Sequence, residues 1–103
     1  MKIKITSIKQ FEPKDIIGED VIRGNGVKIE RCSYGKEGAV YYVPESGNMP
    51  EGFCHHAWFG LYKNINILRN GGNFKNWTGQ DMIYSACPDG IRPVIFKIER
   101  INE

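Results

Sequence analysis

One stretch of this 103-residue chain, and only one, repeats its apolar residues at helical spacing over several turns. Cys54, Ala57, Trp58, Leu61, Ile65 and Leu68 recur every three or four residues, which puts them on one face of a helix of about four turns. Gly71 and Gly72 follow as a left-handed stop. An all-parallel sheet needs a crossover between successive strands, and a single helix cannot supply them. Any sheet here is therefore mostly antiparallel and curled around that helix.

The strands come from period-two alternation and β-rich runs. Ile3 and Ile5 alternate with Lys2 and Lys4, and Val27–Arg31 alternates after the turn Gly24-Asn25-Gly26. Ala39–Val43 lies between Gly38 and Pro44, and Met82–Ala86 precedes the turn Cys87-Pro88-Asp89-Gly90. Pro93–Ile101 closes the chain with Val94, Phe96 and Ile98 on one face. Pro13–Ile17 can form one helical turn with proline at its first position. The expectation is a single α+β domain over residues 1–103, a small curled sheet of about five strands packed on one main helix.

Composition limits the partners. Hydrophobic residues make up 41% and charged residues 25%, as in an ordinary globular chain. A net charge of +2, with Lys and Arg interleaved among Glu and Asp, disfavours nucleic acid as the partner. No run approaches the ~20 apolar residues that a membrane-spanning helix needs. Met1–Ile5 alternates charges where a signal peptide is continuously apolar, so a cytoplasmic protein with reduced thiols is expected. Three cysteines, an odd count, fit no closed disulfide framework. A homo-oligomer is compatible with all of this.

The cysteines carry the site hypothesis, because each falls at an element boundary: Cys32 after a strand, Cys54 at the helix start, Cys87 between a strand and a turn. The free amides and dipole of a helix N-terminus favour a thiolate at Cys54. Its place on the apolar stripe equally suits a small, inert core residue. His55 and His56 project about 100° apart on the helix, so both cannot readily join Cys54 on one ion. His55, with Phe59 and Tyr62 on the flank, is the better ligand candidate; the plain alternative is two surface histidines. Structural zinc sites pair cysteines two to four residues apart, and no such pair exists here. A metal set of Cys54, Cys87 and His55, or a thiol set of Cys54, Cys87 and Cys32, requires separate elements to converge. Asp89 reads as a turn residue and Glu51 as a helix-start carboxylate. No Ser/His/Asp motif, P-loop or dinucleotide fingerprint is present.

Several motifs together resemble a known group. Pro50-Glu51-Gly52-Phe53-Cys54 followed by Ala57-Trp58, Leu68-Arg69 with Gly71-Gly72, Ala86-Cys87 with Asp89, and Pro93-Val94 with Phe96 and Arg100 occur in this order. In this the chain resembles a family of small, stand-alone, uncharacterised bacterial and archaeal proteins. The resemblance implies that these positions matter and assigns no activity. In that family a proline follows the first cysteine, with a glycine a few residues on. Here Ser33 follows Cys32, with Gly35 and Gly38 downstream, and the segment from Phe11 to Ile29 is long for the family. Both departures make Cys32 the least expected member of a shared site.

Two functions follow. In the first, Cys54, Cys87 and Cys32 converge near the helix start as a thiol-centred site for a soft metal or a redox partner. The cofactor such a site would take is zinc or another soft metal ion, since thiolates prefer these to magnesium or calcium. In the second, the cysteines are simply packed and the chain is a non-catalytic module that binds a small molecule or a protein through its aromatic residues.

Overall fold

A computed structural model describes residues 1–34 and 36–102; Gly35, downstream of Cys32, lies outside them. The fold is α+β, with β1 (Lys2–Gln10), α1 (Pro13–Ile17), β2 (Val40–Val43), α2 (His55–Arg69), β3 (Met82–Ala86) and β4 (Val94–Ile101). The four strands form one sheet in the order β2-β1-β4-β3, and every neighbouring pair is antiparallel. The first and last strands are thus paired at its centre. The connection through α2 carries the chain from one edge strand to the other.

Alternation decides which side of the sheet meets α2. Ile3, Ile5, Ile83, Val94, Phe96 and Ile98 are buried with Ala57, Leu61, Ile65 and Leu68 of the helix, and together they make one core. The opposite sheet face carries Lys4, Thr6, Tyr42, Tyr84, Lys97 and Glu99, which the pairing places in adjacent rows. The C-terminus of α2 is closed by a Schellman motif. Gly72 N–H donates to Ile67 C=O at 2.8 Å and Gly71 N–H to Leu68 C=O at 3.3 Å. Gly71 takes φ 88°, the left-handed conformation such a stop needs. The Arg100 guanidinium then covers the helix end, donating to the Leu68 and Gly72 carbonyls and pairing with Asp81.

The sheet has four strands rather than five. Val27–Arg31 does not join it: a single bridge links Ile22 to Lys28 across the Gly24-Asn25-Gly26 turn. Asn25 Oδ1 accepts from Val27 N–H, and Arg23 N–H donates to Val27 C=O at 2.7 Å. The segment satisfies its backbone locally, and Ile22 and Val27 stay more than half exposed. Two alternating aliphatics without a covering layer do not make a sheet strand.

One irregularity in β1 matters for the site. The β1–β4 register slips between Ser7 and Lys9, so Ile8 is an extra residue in the strand. A one-residue insertion exchanges the two faces for everything beyond it. Gln10, rather than Lys9, therefore lies opposite the inward-facing Val94.

Candidate functional site

At the N-terminal end of α2 a cavity of about 320 Å³ opens between the helix, the sheet and two loops. Tyr41, Phe53 and Phe96 line it as an aromatic wall, with Phe53 at 4.8 Å from Tyr41 and 5.5 Å from Phe96 between ring centroids. Cys32, Cys54 and Cys87 all line it, as do His55, His56, Asp89 and Arg92.

Each cysteine arrives by a different route. Cys54 is the N-cap residue of α2: its backbone is extended, and its carbonyl accepts from Trp58 N–H at 2.9 Å. No side chain caps this helix end, and its first turn holds no acidic residue. Cys87 follows β3 directly. Its N–H donates to Val94 C=O, and its Sγ accepts from Val94 N–H at 3.3 Å. Asp89 shapes the turn beyond it, as its sequence context suggests, by accepting from the N–H groups of Ile91 and Arg92.

Cys32 sits on the long loop after the local hairpin, and its Sγ accepts from Tyr34 N–H at 3.4 Å. Two side chains hold that loop at the cavity. Gln10 Nε2, turned inward by the bulge at Ile8, donates to the carbonyls of Cys32 at 2.7 Å and Tyr34 at 2.9 Å. Arg92 Nη1 donates to Glu30 C=O at 3.2 Å, while its Nε meets Asp89 Oδ2 at 3.4 Å. Arg92 thereby ties the Cys32 loop to the Cys87 turn.

Close approach of the Cys87 turn to α2 depends on Gly60. A Cβ at this position would stand 2.7 Å from Ala86 O and 2.9 Å from Pro88 Cδ. The absence of a side chain lets the strand end lie directly on the helix, one turn below the cavity. Gln10, Arg92 and Gly60 are the residues that sequence reasoning passed over. A glycine in the interior of a helical stretch is the available signal for the last.

The thiols are free and partly buried, and they pack at the margin of the core. A backbone N–H reaches two of the three sulfurs, a contact that a thiolate accepts more strongly than a thiol does. His55 and His56 are exposed, with ring centroids 6.1 Å apart and planes perpendicular. Both border the cavity, although they leave the helix in different directions. Among the described residues no group of three or more His, Cys, Asp and Glu side chains is arranged to hold a metal ion. No helix among them is long and apolar enough to cross a membrane. The chain matches no protein-family model, no curated protein and no solved structure.

Proposed function

We propose that this cavity is a thiol-centred site acting on a small soft or electrophilic ligand, and that the chain works in a reducing, cytoplasmic setting. The observation that carries the reading is that three cysteines, from three separate parts of the chain, line one cavity together with aromatic rings. Its chemistry in this reading is thiol exchange; among the described residues no group of three or more His, Cys, Asp and Glu side chains is arranged to hold a metal ion. Cys54, at an uncapped helix N-terminus, is the attacking thiolate. It displaces one sulfur of a small disulfide, forming a mixed disulfide and releasing a thiolate. Cys87 or Cys32 then attacks the Cys54 sulfur and releases the second thiolate, leaving a disulfide within the chain.

The test is incubation of the reduced protein with 2-hydroxyethyl disulfide, followed by intact-mass and peptide analysis. The reading predicts a transient adduct on Cys54, then an intramolecular disulfide. Cys54→Ser should block both, while a Cys32→Ser/Cys87→Ser double variant should stop at the adduct. Reaction no faster than that of the urea-unfolded chain would defeat it.

A second reading has its own support. All three cysteines pack on the core, and Tyr34 at the cavity margin is 63% exposed. In that reading the cavity binds a flat apolar ligand through its rings, and serine replacements at the three cysteines leave affinity unchanged.

A further inference from the structure

Two surfaces of this chain are unaccounted for by the cavity, and they complement each other. The first is the outer flank of α2, where His55, Trp58, Phe59, Tyr62 and Lys63 line an open groove of about 420 Å³. Phe59 is 81% exposed and Tyr62 49% exposed. Aromatic rings bared in this way are the residue types that anchor protein interfaces. The helix holds no aspartate or glutamate, and Lys63 and Arg69 are its charged residues.

The second surface is α1 and the residues that follow it. Pro13 at the start of α1 is fully buried, whereas Ile16 and Ile17 further along are 42% and 48% exposed. Segment 12–20 holds Glu12, Asp15, Glu19 and Asp20 against one lysine, Lys14. Asp15 accepts from Glu12 N–H, and Asp20 faces Lys28 at 3.6 Å, so a negative excess remains. A segment with an acidic excess and two exposed isoleucines, and an aromatic groove bordered by Lys63, thus lie on one chain. The segment follows Gln10, which holds the Cys32 loop, and Cys32 and His55 both line the cavity. His55 is equally the first residue of the groove.

We infer that the chain forms a two-fold dimer in which α1 of each copy inserts Ile16 and Ile17 into the aromatic groove on α2 of the other. The symmetry makes the contact twice, so two modest patches combine into one closed interface. Carboxylates around the isoleucines meet Lys63 at the groove margin, and this sets which end of α1 enters.

Light scattering across a concentration series reads the association. Wild type should pass from monomer to dimer as concentration rises, and less readily at high salt. Phe59→Ser and the double variant Ile16→Ser/Ile17→Ser should each raise the dissociation constant by about tenfold or more. Both alter exposed side chains, so circular dichroism melts should show an intact fold. Mixing the two variants is the decisive arm. Neither alone keeps a working contact, whereas the mixed pair keeps one of two, so the mixture should dimerise more readily than either. Wild type that stays monomeric at submillimolar concentration would overturn the proposal. So would a dimer indifferent to both variants, or a mixture that associates no better than its components.

Discussion

Gly60→Ala separates local preference from tertiary packing, because the two effects have opposite signs. In a helix interior the exchange should stabilise by about 0.8–1.0 kcal/mol, since alanine loses less backbone freedom than glycine. At Gly60 the added methyl would meet Ala86 O at 2.7 Å and Pro88 Cδ at 2.9 Å, closer than real Cβ atoms approach, with Pro88 N at 3.3 Å behind them. These are backbone and ring atoms of a turn held by the Cys87–Val94 pairing, so none can swing aside as a flexible side chain would. Overpacking of this kind costs about 1–3 kcal/mol. Subtracting the propensity gain leaves a net loss of about 1 kcal/mol, or a melting temperature lower by roughly 4–8 °C in a domain of this size. Denaturant and thermal melts measure it. Because relief requires the turn to lift from α2, alkylation of Cys87 in the native protein should also speed up. A variant about 1 kcal/mol more stable than wild type, with Cys87 reactivity unchanged, would refute the packing of this turn on the helix.

Other substitutions test the remaining parts of the architecture. Leu61 is fully buried in the middle of the helix stripe, so Leu61→Ala should cost roughly 2–5 kcal/mol in denaturant melts. Arg100→Ala removes donors to Leu68 and Gly72 and the partner of Asp81; a loss of about 2–3 kcal/mol is expected, with faster amide exchange at the end of α2. Gln10→Ala should leave global stability within about 1 kcal/mol of wild type while raising the alkylation rate of Cys32, whose loop it holds. Thiol counting in denaturant, with and without reductant, should return three free cysteines for protein isolated under non-oxidising conditions.

What the residues disclosed in advance was set by how local the causes are. The stripe from Ala57 to Leu68 and the alternation in β1 and β4 are written at fixed spacing, and they produced the helix, its inward face and the antiparallel sheet. Val27–Arg31 shows the limit of alternation as a signal. It reports a strand-like pattern but not whether a covering layer exists, and here the segment turns back on Val21–Arg23. The bulge at Ile8 leaves no trace in composition or period. It is visible only once Ser7 and Lys9 are aligned with Phe96 and Ile95, yet it is what brings Gln10 to the Cys32 loop. For the same reason the expectation that Cys32 would stand apart rested on its motif. Its position at the cavity depends on contacts of Gln10 and Arg92 spanning 22 and 62 residues of sequence. The three cysteines could be picked out by type and boundary position; their common cavity is a property of topology.

The most direct test of a cavity shared by three thiols is whether modification of one protects the others. Native protein is treated with one equivalent of a bulky maleimide, the singly labelled species is isolated, and its two remaining cysteines are challenged with iodoacetamide and quantified by peptide mass spectrometry. A label seated in a cavity of about 320 Å³ should slow both remaining sites together, and urea should abolish the protection. Unchanged rates at both remaining cysteines in the labelled native protein would show three separate thiols and contradict the account.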